Sequence, residues 1–203
     1  MSDDVISFER INLFVLGNAA VGKTSFILRY CENEFKDNYL STVGIDFLAK
    51  TVILPNNKEG KICFYDTAGE EKYRAISFNL IKTADGIILM YDITSQKSFE
   101  AISGWINSIK EVKGEDFPIV LIGNKCDKEE EREVGKEEGE NEAEKYNFGF
   151  FETSNKDGIN VENAVMDLIS KVIKKRNKKQ SKKEKNKITL NKRNDRNQTK
   201  GCC

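Results

Sequence analysis

Eight consecutive residues, Gly17-Asn-Ala-Ala-Val-Gly-Lys-Thr24, carry the glycine, lysine and hydroxyl spacing needed to hold a chain of phosphates. Glycines at 17 and 22 let backbone N–H groups turn inward, so the stretch through Ala20, Val21 and Gly22 can cradle phosphate oxygens with amides. Lys23 can reach the β and γ groups, and the Thr24 hydroxyl can ligate Mg²⁺. An apolar run precedes the loop, and a helical stretch from Ser25 to Tyr30 follows it, whose N-terminus adds positive potential at the same place. This loop alone does not separate an ATPase, a nucleotide kinase and a GTPase.

The base is read elsewhere. Asn124-Lys125-Cys-Asp127 follows an apolar run at 119–122. A carboxylate at Asp127 can accept from guanine N1–H and N2–H₂, whereas adenine would set an acceptor against it, a mismatch worth several kcal/mol in a buried site. Ser154-Asn155-Lys156, after a run at 148–151, supplies a second loop whose backbone can meet the guanine carbonyl. Asp66-Thr-Ala-Gly69-Glu70 follows another run at 62–65, placing a carboxylate beside Mg²⁺ and a glycine N–H near the γ-phosphate. Thr42 offers a further Mg²⁺ ligand.

These segments need a scaffold that brings them to one edge. Apolar runs of strand length lie at 11–16, 47–54, 62–65, 86–91, 119–122 and 148–151, with helical periodicity at Phe99, Ile102, Ile106 and Ile109 and at Val161, Val165, Leu168, Val172 and Ile173. Uninterrupted runs such as 87–90 suit a sheet covered on both faces, and 55–60 offers a turn for one antiparallel hairpin. The fold class is α/β: one domain with a mostly parallel six-stranded sheet whose ligands bind beyond the C-terminal strand ends, where all four polar motifs fall.

Composition narrows the chemistry. The chain has no histidine, which removes the commonest general acid–base side chain and His-containing zinc sites. Five cysteines without paired spacing predict reduced thiols. No apolar signal core opens the chain and no run approaches the ~20 residues of a membrane span, which predicts a cytosolic protein. The 33 basic and 33 acidic residues balance overall but not locally: from Lys171 onward 14 Lys or Arg meet only Glu184 and Asp195, a net of +12 against −12 in positions 1–170. From about Lys174 the composition is too polar to offset the entropy of folding, predicting a flexible basic tail. Without interleaved aromatics, and following an acidic domain, that tail is not read as a nucleic-acid binder.

The phosphate loop, Asp66–Glu70 and Asn124–Asp127 together resemble the Ras superfamily. Ser41-Thr-Val-Gly-Ile-Asp-Phe47, Lys72-Tyr-Arg-Ala-Ile76, Ala84-Asp-Gly-Ile-Ile-Leu-Met-Tyr-Asp-Ile-Thr94, Phe151-Glu-Thr-Ser-Asn-Lys156 and the terminal Cys202-Cys203 narrow the resemblance to Rab proteins. The resemblance implies a six-stranded, about five-helix GTPase domain over 8–175, a short flexible N-terminus over 1–7 and a hypervariable tail over 176–203. It implies GTP or GDP with Mg²⁺ as ligands, Phe35 against guanine, Tyr39 over the phosphates, and Thr42 and Gly69 sensing the γ-phosphate in two switch segments, about 34–45 and 66–80. Lys23, Thr42, Gly69 and Glu70 would form the hydrolytic set, Thr24, Thr42 and Asp66 the metal set. Implied partners are an exchange factor, an activating protein, effectors on the switch segments and a prenyl-binding chaperone for an otherwise monomeric chain. Two geranylgeranyl groups on Cys202 and Cys203, assisted by the basic tail, would hold it on the cytosolic face of an endomembrane or the plasma membrane, cycling with cytosol.

Five departures stand out. Tyr65 replaces a usual tryptophan, Leu80-Ile81 a tyrosine pair, and Asn155 an alanine. Glu70 occupies the position of the glutamine that orients attacking water, and Ala19 stands in the phosphate loop where Ras has a glycine and Rabs often a serine, adding a methyl that crowds the transition state. Glu70 cannot donate toward oxygens already crowded with charge, which predicts slow intrinsic hydrolysis.

Overall fold

Each of the six apolar runs becomes a strand in the computed structural model, which describes residues 9–35, 45–67 and 81–198. The strands are β1 (Glu9–Leu16), β2 (Ile45–Ile53), β3 (Glu59–Thr67), β4 (Gly86–Asp92), β5 (Ile119–Asn124) and β6 (Gly149–Thr153). They form one sheet in the order β2-β3-β1-β4-β5-β6. Only β2 and β3 pair antiparallel, through a turn in which Asn57 takes the left-handed conformation (φ 59°) and the Leu54 N–H donates to the Lys58 carbonyl at 2.8 Å.

The apolar runs of β4 and β5 are continuous because both faces of the sheet are covered there. In β1, Ile11, Leu13 and Val15 face α1 (Lys23–Glu32) and α5 (Val161–Gln198), while Phe14 and Leu16 face α3 (Ile102–Lys113) and α4 (Lys136–Lys145). The same alternation divides β4 and β5, and all seven residues of β4 are buried. At about 1.5–3 kcal/mol for each fully buried aliphatic side chain, these two cores fix which strand ends can meet.

Two boundaries differ from the sequence pattern. The periodicity from Phe99 to Ile109 spans two helices, α2 (Gln96–Glu100) and α3, because Ala101 at ψ −16° opens the backbone toward turn geometry. The last helix does not end near 175 but runs to Gln198. Lys, Arg, Gln and Glu are good helix formers, and no Gly or Pro interrupts the chain from Val161 to Gln198.

Among the described residues, the last hydrogen bonds from α5 to the domain come from Lys175 and Arg176. Lys175 donates to the Asp116 carbonyl. The Arg176 guanidinium reaches Glu9 at 3.1 Å, Asp85 at 2.8 Å and the Arg10 carbonyl at 2.8 Å, and Asp85 also accepts the Asn12 N–H at 2.9 Å. This clasp lies at the N-terminal edge of β1, at the opposite end of the sheet from the loops below. No helix of the described residues is long and apolar enough to cross a membrane.

Candidate nucleotide site

Strand register sets the site out in a row. Val15 pairs with Asp66 across β1 and β3, and Asp92, Asn124 and Thr153 align across β4, β5 and β6. The phosphate loop leaves β1 just beyond this row and enters α1 at Lys23.

Backbone conformation shapes the loop. Gly17 sits at φ +142°, and a Cβ there would lie 2.2 Å from the Met90 carbonyl oxygen. Gly22 sits at φ +98°, where a Cβ would fall 2.4 Å from Asn124 Nδ2. Ala20 holds φ 62°, a left-handed conformation uncommon for a residue with a side chain. Lys23 is buried and donates to the carbonyls of Gly17 at 3.0 Å and Asn18 at 2.7 Å. Burial lowers its pKa to about 8 despite the favourable charge of Asp66. An ammonium so poorly solvated gains strongly from an arriving phosphate.

Thr24 donates its hydroxyl to the buried carboxylate of Asp66, while Ser25 continues the first turn of α1. The described residues hold no group of three or more carboxylate or sulfur ligands. One hydroxyl and one carboxylate, both hard oxygen donors beside a phosphate loop, fit Mg²⁺, which usually keeps waters and substrate oxygens as its remaining ligands.

The base-side loops are held by side chains. Asn124, 1% exposed, donates from Nδ2 to the Val21 carbonyl at 2.8 Å and accepts from Thr153 Oγ1 at 3.0 Å. Lys125, at φ 69°, pairs with Asp92 at 2.6 Å. Ser154 Oγ donates to Asp127 at 2.7 Å and accepts the Asp157 N–H at 3.0 Å. Asp127 is exposed rather than enclosed, so its orientation comes from Ser154 and not from burial. Asn155 Nδ2 donates to the Gly22 carbonyl at 2.9 Å. Arg29 braces the same loop from α1, with Nε to the Asn155 carbonyl at 2.6 Å and Nη2 to the Lys156 carbonyl at 2.7 Å.

Gly17, Ala20, Val21, Gly22, Lys23, Thr24, Ser25, Asp66, Asn124, Lys125, Asp127, Ser154, Asn155 and Lys156 therefore gather at one edge of the sheet. Phe35, half-buried, closes the first described segment. Tyr39, Thr42, Gly69, Glu70, Cys202 and Cys203 lie outside the described residues.

Sequence reasoning missed three supports: Arg29, Asp92 and Trp105, whose Nε1–H donates to Asn18 Oδ1 at 3.0 Å. Arg29 and Trp105 belong to no local motif, and Asp92 lies within the Ala84–Thr94 segment, whose pattern carries no sign of its partner Lys125. Beside the site, Tyr65 stacks on Phe14 (4.5 Å, 11°) and meets Phe47 edge-on at 5.4 Å. Its hydroxyl accepts from Arg10 at 3.0 Å, and Phe47 is 46% exposed. Ile81, at one of the departing positions, is buried in the core under α3.

A phosphate loop between β1 and α1, aligned with Asn124 at the end of β5 and Asp127 just beyond it, defines an α/β phosphate-loop nucleotide-binding domain. The Ras family model matches residues 12–174. The chain is 46% identical over 157 residues to Ras-related protein Rab-3C of Bos taurus, covering 77% of this chain and 69% of that one. It is 44% identical over 163 residues to human Ras-related protein Rab-3A, with 80% and 74% covered. Against Ras-related protein Rab-3 of Caenorhabditis elegans it is 45% identical over 161 residues, with 79% and 73% covered. The chain belongs to the Ras family and, within it, to the Rab group of small GTPases.

Proposed function

We propose that this chain is a membrane-associated guanine-nucleotide switch of vesicle trafficking, cycling between GTP and GDP and hydrolysing GTP slowly. The observation that carries the reading is the meeting of Asp127, oriented by Ser154, with a phosphate loop whose Val21 carbonyl is held by Asn124. Base selection and phosphate grip are thereby built as one site. Asp127 accepts from the guanine edge, the Ser154–Lys156 loop offers backbone N–H to its carbonyl, Lys125 and Phe35 flank the ring, and Tyr39 covers the phosphates. Thr24, Thr42 and Asp66 hold Mg²⁺, which neutralises charge between the phosphate groups when bound. Thr42 and Gly69 meet the γ-phosphate only while it is present, so its loss releases both switch segments and the effector surface around Phe47 and Tyr65.

An exchange factor, an activating protein and effectors act on those segments. Two prenyl groups on Cys202 and Cys203, with the basic tail, attach the chain to a cytosol-facing membrane from which a prenyl-binding chaperone extracts the GDP form. Removing both cysteines is expected to leave a soluble chain that still binds GTP; unchanged pelleting with membranes would refute lipid attachment.

Glu70 and Ala19 favour a second reading, a GTP-locked recruitment platform with negligible turnover. Single-turnover hydrolysis by the full chain separates the two. Glu70→Gln is expected to accelerate intrinsic hydrolysis by roughly 10² to 10³, the typical worth of one lost contact to the transition state. No acceleration would show that position 70 does not limit the chemistry.

A further inference from the structure

Two consecutive carbonyls of the phosphate loop are each held by an asparagine amide from a different base-side loop. Asn124 takes the Val21 carbonyl at 2.8 Å and Asn155 takes the Gly22 carbonyl at 2.9 Å. Both amides crowd Gly22, where a Cβ would lie 2.4 Å from Asn124 Nδ2 and 2.9 Å from Asn155 Nδ2. A peptide unit is planar, so fixing a carbonyl also fixes the N–H on the other side of the same plane. Asn124 thus sets the direction of the Gly22 N–H, and Asn155 that of the Lys23 N–H. These are two of the amides that a phosphate loop turns toward its ligand.

The amide orientation of Asn155 is determined by chemistry, since the Gly22 carbonyl can only accept. That carbonyl already takes the Phe26 N–H at 2.9 Å as the first bond of α1, so the Asn155 contact is a second restraint on it. The other end of the amide, Oδ1, is buried in a residue 4% exposed and has no hydrogen-bond partner among the described residues. An unpartnered acceptor offsets the stabilisation from the Nδ2 bond. Asn155 is therefore poorly explained as a contributor to stability and well explained as a strut.

We propose that Asn155 is a positioning residue that couples the base-reading loop to the phosphate loop, so that nucleotide release requires both to loosen together. This rests on the guanine-nucleotide reading above. Because Arg29 clamps the Asn155 and Lys156 carbonyls to α1, movement of the base loop is transmitted through Asn155 to the helix N-terminus, not absorbed within the loop.

The test uses the full chain loaded with a fluorescent GDP analogue and chased with excess GDP, for wild type, Asn155→Ala and Asn155→Asp. Asn155→Ala is expected to release nucleotide about three- to tenfold faster, the worth of one neutral hydrogen bond. Asn155→Asp should be faster still, because a carboxylate opposes the Gly22 carbonyl. Melting of nucleotide-free Asn155→Ala should stay within about 3 °C of wild type or rise, since the orphaned acceptor leaves with the bond. Equal release rates in all three proteins would overturn the assignment, as would faster release matched by a large fall in the melting temperature of empty Asn155→Ala. A wild-type chain that holds no GDP would instead overturn the proposed function itself, and this coupling with it.

Discussion

The phosphate loop and the base-side loops do neighbouring jobs by opposite means. From Gly17 to Gly22 the loop is shaped by backbone conformation, with three residues at positive φ and a glycine pressed against the Met90 carbonyl. The 124–127 and 154–157 segments are shaped by side chains, with Ser154 holding Asp127 and Asp92 holding Lys125. Backbone-shaped sites tolerate almost no added atoms, whereas side-chain-shaped sites tolerate substitution and change what they recognise. Changes on the first side should therefore abolish binding, and changes on the second should redirect it.

The largest effect is expected at Gly17. Gly17→Ala places a methyl against a backbone oxygen 2.2 Å away at φ +142°, and neither can yield without moving β4. A loss of roughly 3 kcal/mol or more in stability is expected, together with loss of nucleotide retention. Calorimetry and nucleotide content after purification measure both. A variant that folds and retains GDP would break the comparison at its firmest point.

Asp127→Asn should act differently. The amide keeps a partner for Ser154 and can donate to the extra carbonyl of xanthine, so the fold should persist while preference moves from guanine to xanthine nucleotides. A loss of guanine affinity of about 10²-fold or more is expected from one mispaired group. Competition of XTP against GTP measures it, and continued preference for GTP would remove Asp127 from its assigned role.

The smallest effect sharpens the phosphate side. Burial holds the Lys23 pKa at about 8 in the empty site, and a bound phosphate must raise it. Binding therefore takes up a proton above that pH, so affinity is full below pH 8 and falls as pH rises through it. The fall is at most about tenfold over the first unit. The same lowered pKa makes the empty domain gain stability as pH rises from about 8 toward the ordinary lysine value, because the unfolded chain then binds more protons. Nucleotide titrations at several pH values, alongside melting of the empty protein, should show these opposite slopes.

This contrast also explains what could be read from sequence. Strands β4 and β5, and the Leu13–Leu16 end of β1, were legible because burial on both faces leaves an unbroken apolar run. The phosphate loop was legible because a backbone-shaped site must spell its glycines in order. Asp127 was legible only through its position after a strand. Its orienting partner Ser154 lies 27 residues away, and Arg29 reaches Asn155 across 126 residues, so no local pattern could reveal either contact. The helix α5 continues beyond 175 for another reason: a Lys-rich sequence without Gly or Pro keeps its helix propensity where it has few apolar residues to pack.

The Arg176 clasp gives the molecule a mechanical layout. A pull on the tail is borne first by Glu9, Asp85 and the Arg10 carbonyl, at the start of β1 and beside β4. From there the load spreads as shear through the β1–β3 and β1–β4 ladders, whose parallel bonds resist sliding together. The loops that grip the ligand hang from the far ends of those strands. On the membrane-anchored reading proposed above, tension along the tether would load the N-terminal end of the sheet before it reached them, and the molecule could be tugged without shaking its nucleotide loose.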